Sequence, residues 1–167
     1  MIKTNVPLVT DSMVFLHLGF VKQIPDFLRW FDPPLIITPS VIREVERVSK
    51  EHLEFGYINL NTHVEEKILN KVDLSSGDET EIFYGYYNYQ FGKKKFGQGE
   101  SSCLAVSLAN GYGLICDEAE VRAEFNEEKK KRKFEAPGYT TRQILQLAKK
   151  NNLISADQFN DFEKALF

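Results

Sequence analysis

The sequence predicts an α/β protein with three layers, in which helices cover both faces of a central parallel sheet. Short apolar runs at 6–10, 35–37 and 114–116 lack the polar alternation of half-exposed strands, which indicates strands buried on both faces. Helical patterns lie between these runs, and this order favours a parallel sheet. With 167 residues, 43% of them hydrophobic, we expect one domain, residues 1–167, with a substantial core.

The first half of the chain is predicted to alternate strand and helix twice. A strand at 6–10 ends at Asp11, and a densely apolar helix follows from the next residue. Two prolines precede a second strand at 35–37. Thr38, directly before a proline, suits the N-cap of a helix with apolar residues at helical spacing. Glu44 falls about one turn into that helix, near the carboxyl end of the second strand.

The middle of the chain gives weaker signals. We expect a short strand at 57–60, a helix at 64–72 and another helical stretch starting at 75–81. Aromatic residues alternate with glycines and lysines over residues 79–97, which we interpret as an insertion. Such a composition suits either base stacking and phosphate contact or the packing of an added helix against the core.

The second half returns to clear patterns. Glu100 opens a helix that is apolar nearly all round and is therefore buried. Glycines end it, and a central strand at 114–116 carries the acidic pair Asp117 and Glu118 at its carboxyl end. The remaining predicted elements are an exposed helix at 119–133, a turn at 137–138, a helix at 144–151 capped by Thr140 or Thr141, and an amphipathic segment at 157–167.

Composition excludes several classes of protein. A net charge of −3 and a pI of about 5.7 argue against a protein that coats nucleic acid with a broad basic surface. The apolar runs are too short to span a membrane, and the N-terminus lacks the pattern of a secretory signal, so we expect a cytoplasmic protein. Cys103 and Cys116 match no zinc spacing and are expected to be buried, unreactive thiols.

Sequence motifs exclude further kinds of site. The histidines do not form the HExxH motif of zinc proteases, and no dinucleotide-binding or P-loop motif occurs.

Acidic residues recur where strands end or helices begin: Asp11, Glu44, Glu100 and Asp117. Ligands of parallel sheets bind beyond the carboxyl ends of the strands, so these carboxylates are expected to converge there. Clustered carboxylates repel one another unless a cation compensates them, and Mg2+ or Mn2+ suits oxygen ligands. The alternative is that Asp11 and Asp117 cap helices or bind backbone amides.

With these positions placed, the chain resembles a PIN domain, the nuclease fold of VapC-type toxins and related ribonucleases. The resemblance rests on four segments in the same order, 9–12, 37–44, 99–105 and 114–122, and on the helix at 144–154. The aromatic, lysine-rich stretch has no counterpart in that pattern. Glu118 stands where a second aspartate is frequent, so either member of the acidic pair suits a metal ligand.

The resemblance implies a Mg2+- or Mn2+-dependent endoribonuclease that hydrolyses RNA phosphodiester bonds. Its catalytic residues would be Asp11, Glu44, Glu100 and Asp117, with Asp11, Glu100, Asp117 and Glu118 as metal ligands. Ser12 would orient a ligand or the attacking water, unless it only caps its helix. Arg122 and the lysines Lys93, Lys94 and Lys95 would contact RNA phosphates, unless Arg122 makes a surface ion pair and the lysines are a solvated loop tip.

The family also implies partners. A toxin would pair with an antitoxin protein, and PIN domains often form homodimers, for which residues 153–167 offer an apolar surface. A second hypothesis is a PIN-like module that is catalytically silent and serves in binding or assembly. Another acidic phosphotransfer fold, of receiver or TOPRIM type, is a more distant alternative, and the Asp-x-Asp pair of TOPRIM sites is absent from the sequence.

Overall fold

A five-stranded, all-parallel sheet forms the centre of the protein and confirms the predicted α/β class. The computed structural model describes residues 1–88 and 95–167. The strands are β1 (Ile2–Lys3), β2 (Leu8–Thr10), β3 (Phe31–Asp32), β4 (Ile36–Ile37), β5 (Asn70–Lys71), β6 (Gly113–Ile115) and β7 (Gly138–Tyr139). The central sheet has the order β5-β4-β2-β6-β7, and β1 pairs with β3 in a small separate parallel sheet.

Nine α-helices of the described residues surround the sheet. They are α1 (Ser12–Phe20), α2 (Ile24–Leu28), α3 (Pro39–Glu51), α4 (Leu60–Glu65), α5 (Gly77–Tyr87), α6 (Gln98–Asn110), α7 (Ala119–Lys131), α8 (Thr141–Lys150) and α9 (Ala156–Leu166). A 3-10 turn spans Leu53–Phe55. No helix among the described residues is both long and apolar enough to cross a membrane.

The apolar runs of the sequence form the central strands because these strands are buried in the core. All residues of β2, β4 and β6 are buried, and α6, apolar on nearly every side, is buried from Ser101 to Leu108. Burial of both sheet faces by helices is what continuous apolar runs require. Gly111, at a φ of 70°, ends α6 in the left-handed conformation that glycine adopts without strain.

Chain order places a crevice at the carboxyl ends of the central strands. From β2 the chain moves outward through β4 to β5, then returns to the other side of β2 for β6 and β7. Strand order therefore reverses at β2, and open α/β sheets bind ligands at such a reversal. Asp11 follows β2, α3 starts just beyond β4, and Asp117 follows shortly after β6.

Three predicted elements are wrong. The segment 57–60 is not a strand, because α4 begins at Leu60, and the helix predicted at 64–72 ends instead at Glu65. Strand β5 occupies part of that predicted helix; both its residues are exposed at the sheet edge, so it lacks an apolar signal. The turn predicted at 137–138 is partly β7, which pairs with β6 through Leu114 and Gly138.

The stretch interpreted as an insertion begins inside α5, which packs against α6. Ser76 and Glu79 form a capping box at the start of this helix. Three aromatic side chains of the stretch at 79–97 are buried in the core: Phe83 and Tyr86 of α5, and Phe96, which follows the helix. Tyr84 and Tyr87 are exposed, whereas residues 89–94, including Lys93 and Lys94, lie outside the described residues.

Candidate acidic site

Asp11 directly follows the central strand β2 and is almost fully buried, with 1% of its surface exposed. Its amide donates to the carbonyl of Ile115 on the neighbouring strand β6, at 3.0 Å. Burial, together with the negative charge of Glu44, raises the pKa of Asp11 from 3.8 to about 6. Asp11 precedes α1 in the N-cap position, yet its carboxylate accepts no capping hydrogen bond. Asp11 therefore does not cap α1 with its side chain, although a hydrogen bond from the Ser12 backbone amide lowers its pKa against the effect of burial, in agreement with the amide-binding alternative.

Two thiols and a hydroxyl face the Asp11 carboxylate. Cys116 Sγ donates to Oδ2 at 3.3 Å, Cys103 Sγ approaches Oδ1 at 3.9 Å, and Ser12 Oγ donates to Oδ1 at 3.4 Å. Both cysteines are free and buried, as predicted, and burial raises the pKa of each thiol. At neutral pH they are therefore protonated and act as hydrogen-bond donors to this carboxylate.

Glu44 and Glu100 face each other where α3 packs against the start of α6. Gly99 makes their approach possible: a Cβ at this position would lie 2.5 Å from Glu44 Oε2. Thr38 and Ser102 join the two helices through a hydrogen bond of 2.7 Å between their hydroxyl oxygens. Glu44 and Glu100 are therefore held on opposite sides of one cleft.

The charges of the acids act on one another. Burial raises the pKa of Glu100, and the negative charges of Asp11, Glu118 and Glu44 raise it further. The structure thus brings three predicted residues, Asp11, Glu44 and Glu118, within electrostatic reach of a fourth, Glu100. A positive charge placed among them would relieve this repulsion.

Asp117 has a different place from the one expected. Its Oδ1 accepts the Thr141 amide at 2.7 Å, and its Oδ2 accepts the Thr141 hydroxyl at 2.7 Å and lies 2.8 Å from His17 Nδ1. These hydrogen bonds, led by that of His17, lower the pKa of Asp117 although burial acts in the opposite direction. Its carboxylate binds a backbone amide at the start of α8, the alternative that the sequence left open.

Alternation of side chains explains this difference. Thr10 pairs with Ile115 in the sheet, so the next residues, Asp11 and Cys116, lie side by side, and their side chains meet. Successive side chains of an extended chain point to opposite faces. Asp117, one residue beyond Cys116, contacts His17 of α1 and Thr141 of α8 instead, whereas the charge of Glu118 acts on Glu100.

Arg122 also differs from the expectation of a phosphate ligand or a surface ion pair. Its Nη1 donates to the carbonyl of Cys116 at 2.8 Å, so the guanidinium holds the end of β6. Of the three predicted lysines, only Lys95 is among the described residues, and it is exposed just before the cleft residue Gly97. Ser12 is buried against Asp11, which suits the predicted orienting role.

The donors suit a hard cation in chemistry, because carboxylate oxygens are the ligands that Mg2+ and Mn2+ prefer. They do not form a closed coordination shell: within residues 1–88 and 95–167, no three histidine, cysteine, aspartate or glutamate side chains are placed to hold a metal ion. The carboxylates thus fit a cation by charge and would have to turn toward it on binding.

Sequence reasoning missed His17, Thr141 and the thiols as partners of the two aspartates. The position of Cys116 directly before the acidic pair was a usable signal, because adjacent parallel strands place it beside Asp11. His17 had no signal, since 100 residues separate it from Asp117.

Comparison with known proteins does not define a family for this site. No model of a protein family matches the chain, and a search of curated proteins finds no match.

Proposed function

We propose that this chain is a PIN-like, Mg2+- or Mn2+-dependent endoribonuclease. The supporting observation is the mutual repulsion of carboxylates at the reversal of strand order, where burial and neighbouring charges raise the pKa values of Asp11 and Glu100. Carboxylates whose pKa values are raised by burial and by a neighbouring negative charge are enriched at functional sites. The order of the sequence segments that resemble a PIN domain supports the same reaction.

In this proposal Asp11, Glu100 and Glu118 hold the cation, and Glu44 completes the acidic group. A bound divalent ion would lower the pKa of water and neutralise charge on the phosphate. Ser12 and the Cys116 thiol orient the Asp11 carboxylate through their hydrogen bonds. Asp117 serves differently from the expectation, since it fixes the end of β6 against α8.

Cleavage of an end-labelled, structured RNA in Mn2+, Mg2+ and EDTA tests the proposal. Glu44→Gln removes one acid of the group, and Glu46→Gln, on the same helix and paired with Lys50, is its matched control. We expect metal-dependent cleavage by the wild type and by the control, and a loss of at least about 10²-fold in Glu44→Gln. Equal cleavage by both variants would refute the assignment of Glu44.

A second candidate function is a catalytically silent PIN-like binding module. The observation that favours it is the closed surroundings of Asp11, whose oxygens face thiols and a hydroxyl. A silent module would bind RNA or a protein without cutting and would bind divalent ions weakly. The role of a toxin in the cytoplasm, with an antitoxin partner and a homodimeric state, belongs to the first proposal and rests on the resemblance alone.

A further inference from the structure

A cleft of about 310 Å³ opens beside the acidic group, between α3 and the first turn of α6. The wall formed by α3 carries Glu44, and the facing wall at the start of α6 carries Glu100 together with the glycines at 97 and 99, which add no side chains of their own. Arg43 and Arg47, one helical turn apart on α3, line the same cleft. Among the described residues that line it, these two arginines carry the positive charge.

Within residues 1–88 and 95–167, neither Arg43 nor Arg47 has a strong partner. Arg43 Nη2 donates to the hydroxyl of Ser40 at 3.3 Å, and Arg47 pairs with Glu51 at 3.1 Å. The Arg47 and Glu51 side chains are 60% and 54% exposed, and exposed pairs of this kind contribute little to stability. Both guanidinium groups can therefore exchange these contacts for a better acceptor.

The charges around this cleft also distinguish it from an ordinary solvated helix face. A phosphate that approaches Glu44 and Glu100 meets repulsion, and a cation among the acids compensates only the phosphate next to it. A polyanionic strand needs further positive charge along its path. Arginine presents a planar fork of donors that matches a phosphate group, and both forks stand at the edge of the acidic group.

We propose that Arg43 and Arg47 form a subsite that binds phosphates of the RNA strand adjacent to the bond that is cut. This subsite rests on the proposed nuclease function. It adds a path for the substrate, in which the RNA strand runs from the acidic group along α3. Arg122 does not contribute, because its guanidinium is bound to the Cys116 carbonyl.

Fluorescence anisotropy with a labelled single-stranded RNA, in EDTA and at several salt concentrations, tests this subsite without cleavage. The variants are Arg43→Ala, Arg47→Ala and the double change. Arg132→Ala is the control, since it removes one arginine charge from the C-cap of α7, a helix of 13 residues whose N-cap is Glu118. At 1.5 Å per residue, the backbone at Arg132 is about 20 Å from that end of the site.

We expect the double variant to bind RNA at least about 10-fold more weakly than the control at low salt. The slope of log affinity against log salt should fall by about 0.7 for each phosphate of the single strand that the variant no longer binds. Affinities and slopes equal to those of Arg132→Ala would overturn the proposal, as would a wild type that does not bind RNA. If the wild type binds through these arginines but never cleaves, the nuclease function fails and the binding subsite stands.

Discussion

Replacement of Asp11 by asparagine should stabilise the protein in the absence of metal. The carboxylate is buried and lies beside Glu44, so its ionised form is unfavourable in the native state. Asparagine has nearly the same shape and stays neutral at every pH. Its side-chain oxygen still accepts a hydrogen bond from Cys116 or Ser12, so the change removes mainly the buried charge.

The size of the effect follows from the pKa. A native pKa of about 6 against the ordinary value of 3.8 corresponds to about 3 kcal/mol of destabilisation once the group is ionised. Since the native pKa lies above that of the unfolded chain, the stability of the protonated form is complete below pH 3.8 and is lost as pH rises through about 6. The advantage of Asp11→Asn over the wild type should therefore grow by about 2–3 kcal/mol between about pH 4 and pH 8.

Urea unfolding in EDTA at both pH values measures this difference, and thermal unfolding should show it as about 5–10 °C at pH 8. Asp161→Asn, on the exposed face of α9, is the control for loss of one carboxylate. Comparison of each variant with the wild type at the same pH cancels the titration of the groups that do not interact with Asp11.

A constant difference between Asp11→Asn and the wild type from acid to alkaline pH would refute the reasoning. It would mean that Asp11 titrates at its ordinary value and is neither desolvated nor repelled by its neighbours. An Asp11→Asn variant that is less stable than the wild type at pH 8 would also refute it, because the ionised carboxylate would then stabilise the native state.

Three further changes test individual parts of the site and fold. Gly99→Ala places a Cβ 2.5 Å from Glu44 Oε2 and should displace that carboxylate, lowering metal-dependent RNA cleavage about 10²-fold; Gly97→Ala, where a Cβ meets nothing within 4 Å, should not. Asp117→Ala removes the acceptor of three hydrogen bonds and should cost about 3 kcal/mol in urea unfolding near neutral pH. This cost should shrink as pH falls below 3.8, because the pKa of the native carboxyl is lowered. Glu79→Ala breaks the capping box of α5 and should cost about 1–2 kcal/mol, and unchanged stability would show that the box contributes nothing.

The sequence predicted the parts of the fold that depend on burial. Strands β2, β4 and β6 are buried on both faces, so each is a continuous apolar run. Such a run predicts a strand from the local sequence, without knowledge of the neighbouring strand. Strand β5 lies at an exposed edge, and β7 is two residues long and contains a glycine. Such strands are defined by their pairing with a neighbour, which no local pattern reveals.

The candidate site was predictable in position more than in detail. The rule that ligands bind beyond the strand ends located Asp11, Glu44 and Glu100 correctly, since it depends only on strand direction. The different surroundings of Asp117 and Glu118 depend on the pairing register of β6, because a shift of one residue turns a side chain to the other face. Register follows from the pairing of Thr10 with Ile115, which became visible only in the folded chain.

Divalent-ion binding by calorimetry tests the central claim most directly, because the claim is that Asp11, Glu100 and Glu118 share one cation. Mn2+ is titrated into the wild type, Glu100→Gln and Asp117→Asn, each shown to be folded by circular dichroism. We expect saturable Mn2+ binding by the wild type and by Asp117→Asn, and a loss of at least about 10-fold in Mn2+ affinity for Glu100→Gln. Wild-type protein that binds no Mn2+, or equal binding by wild type and Glu100→Gln, would contradict it.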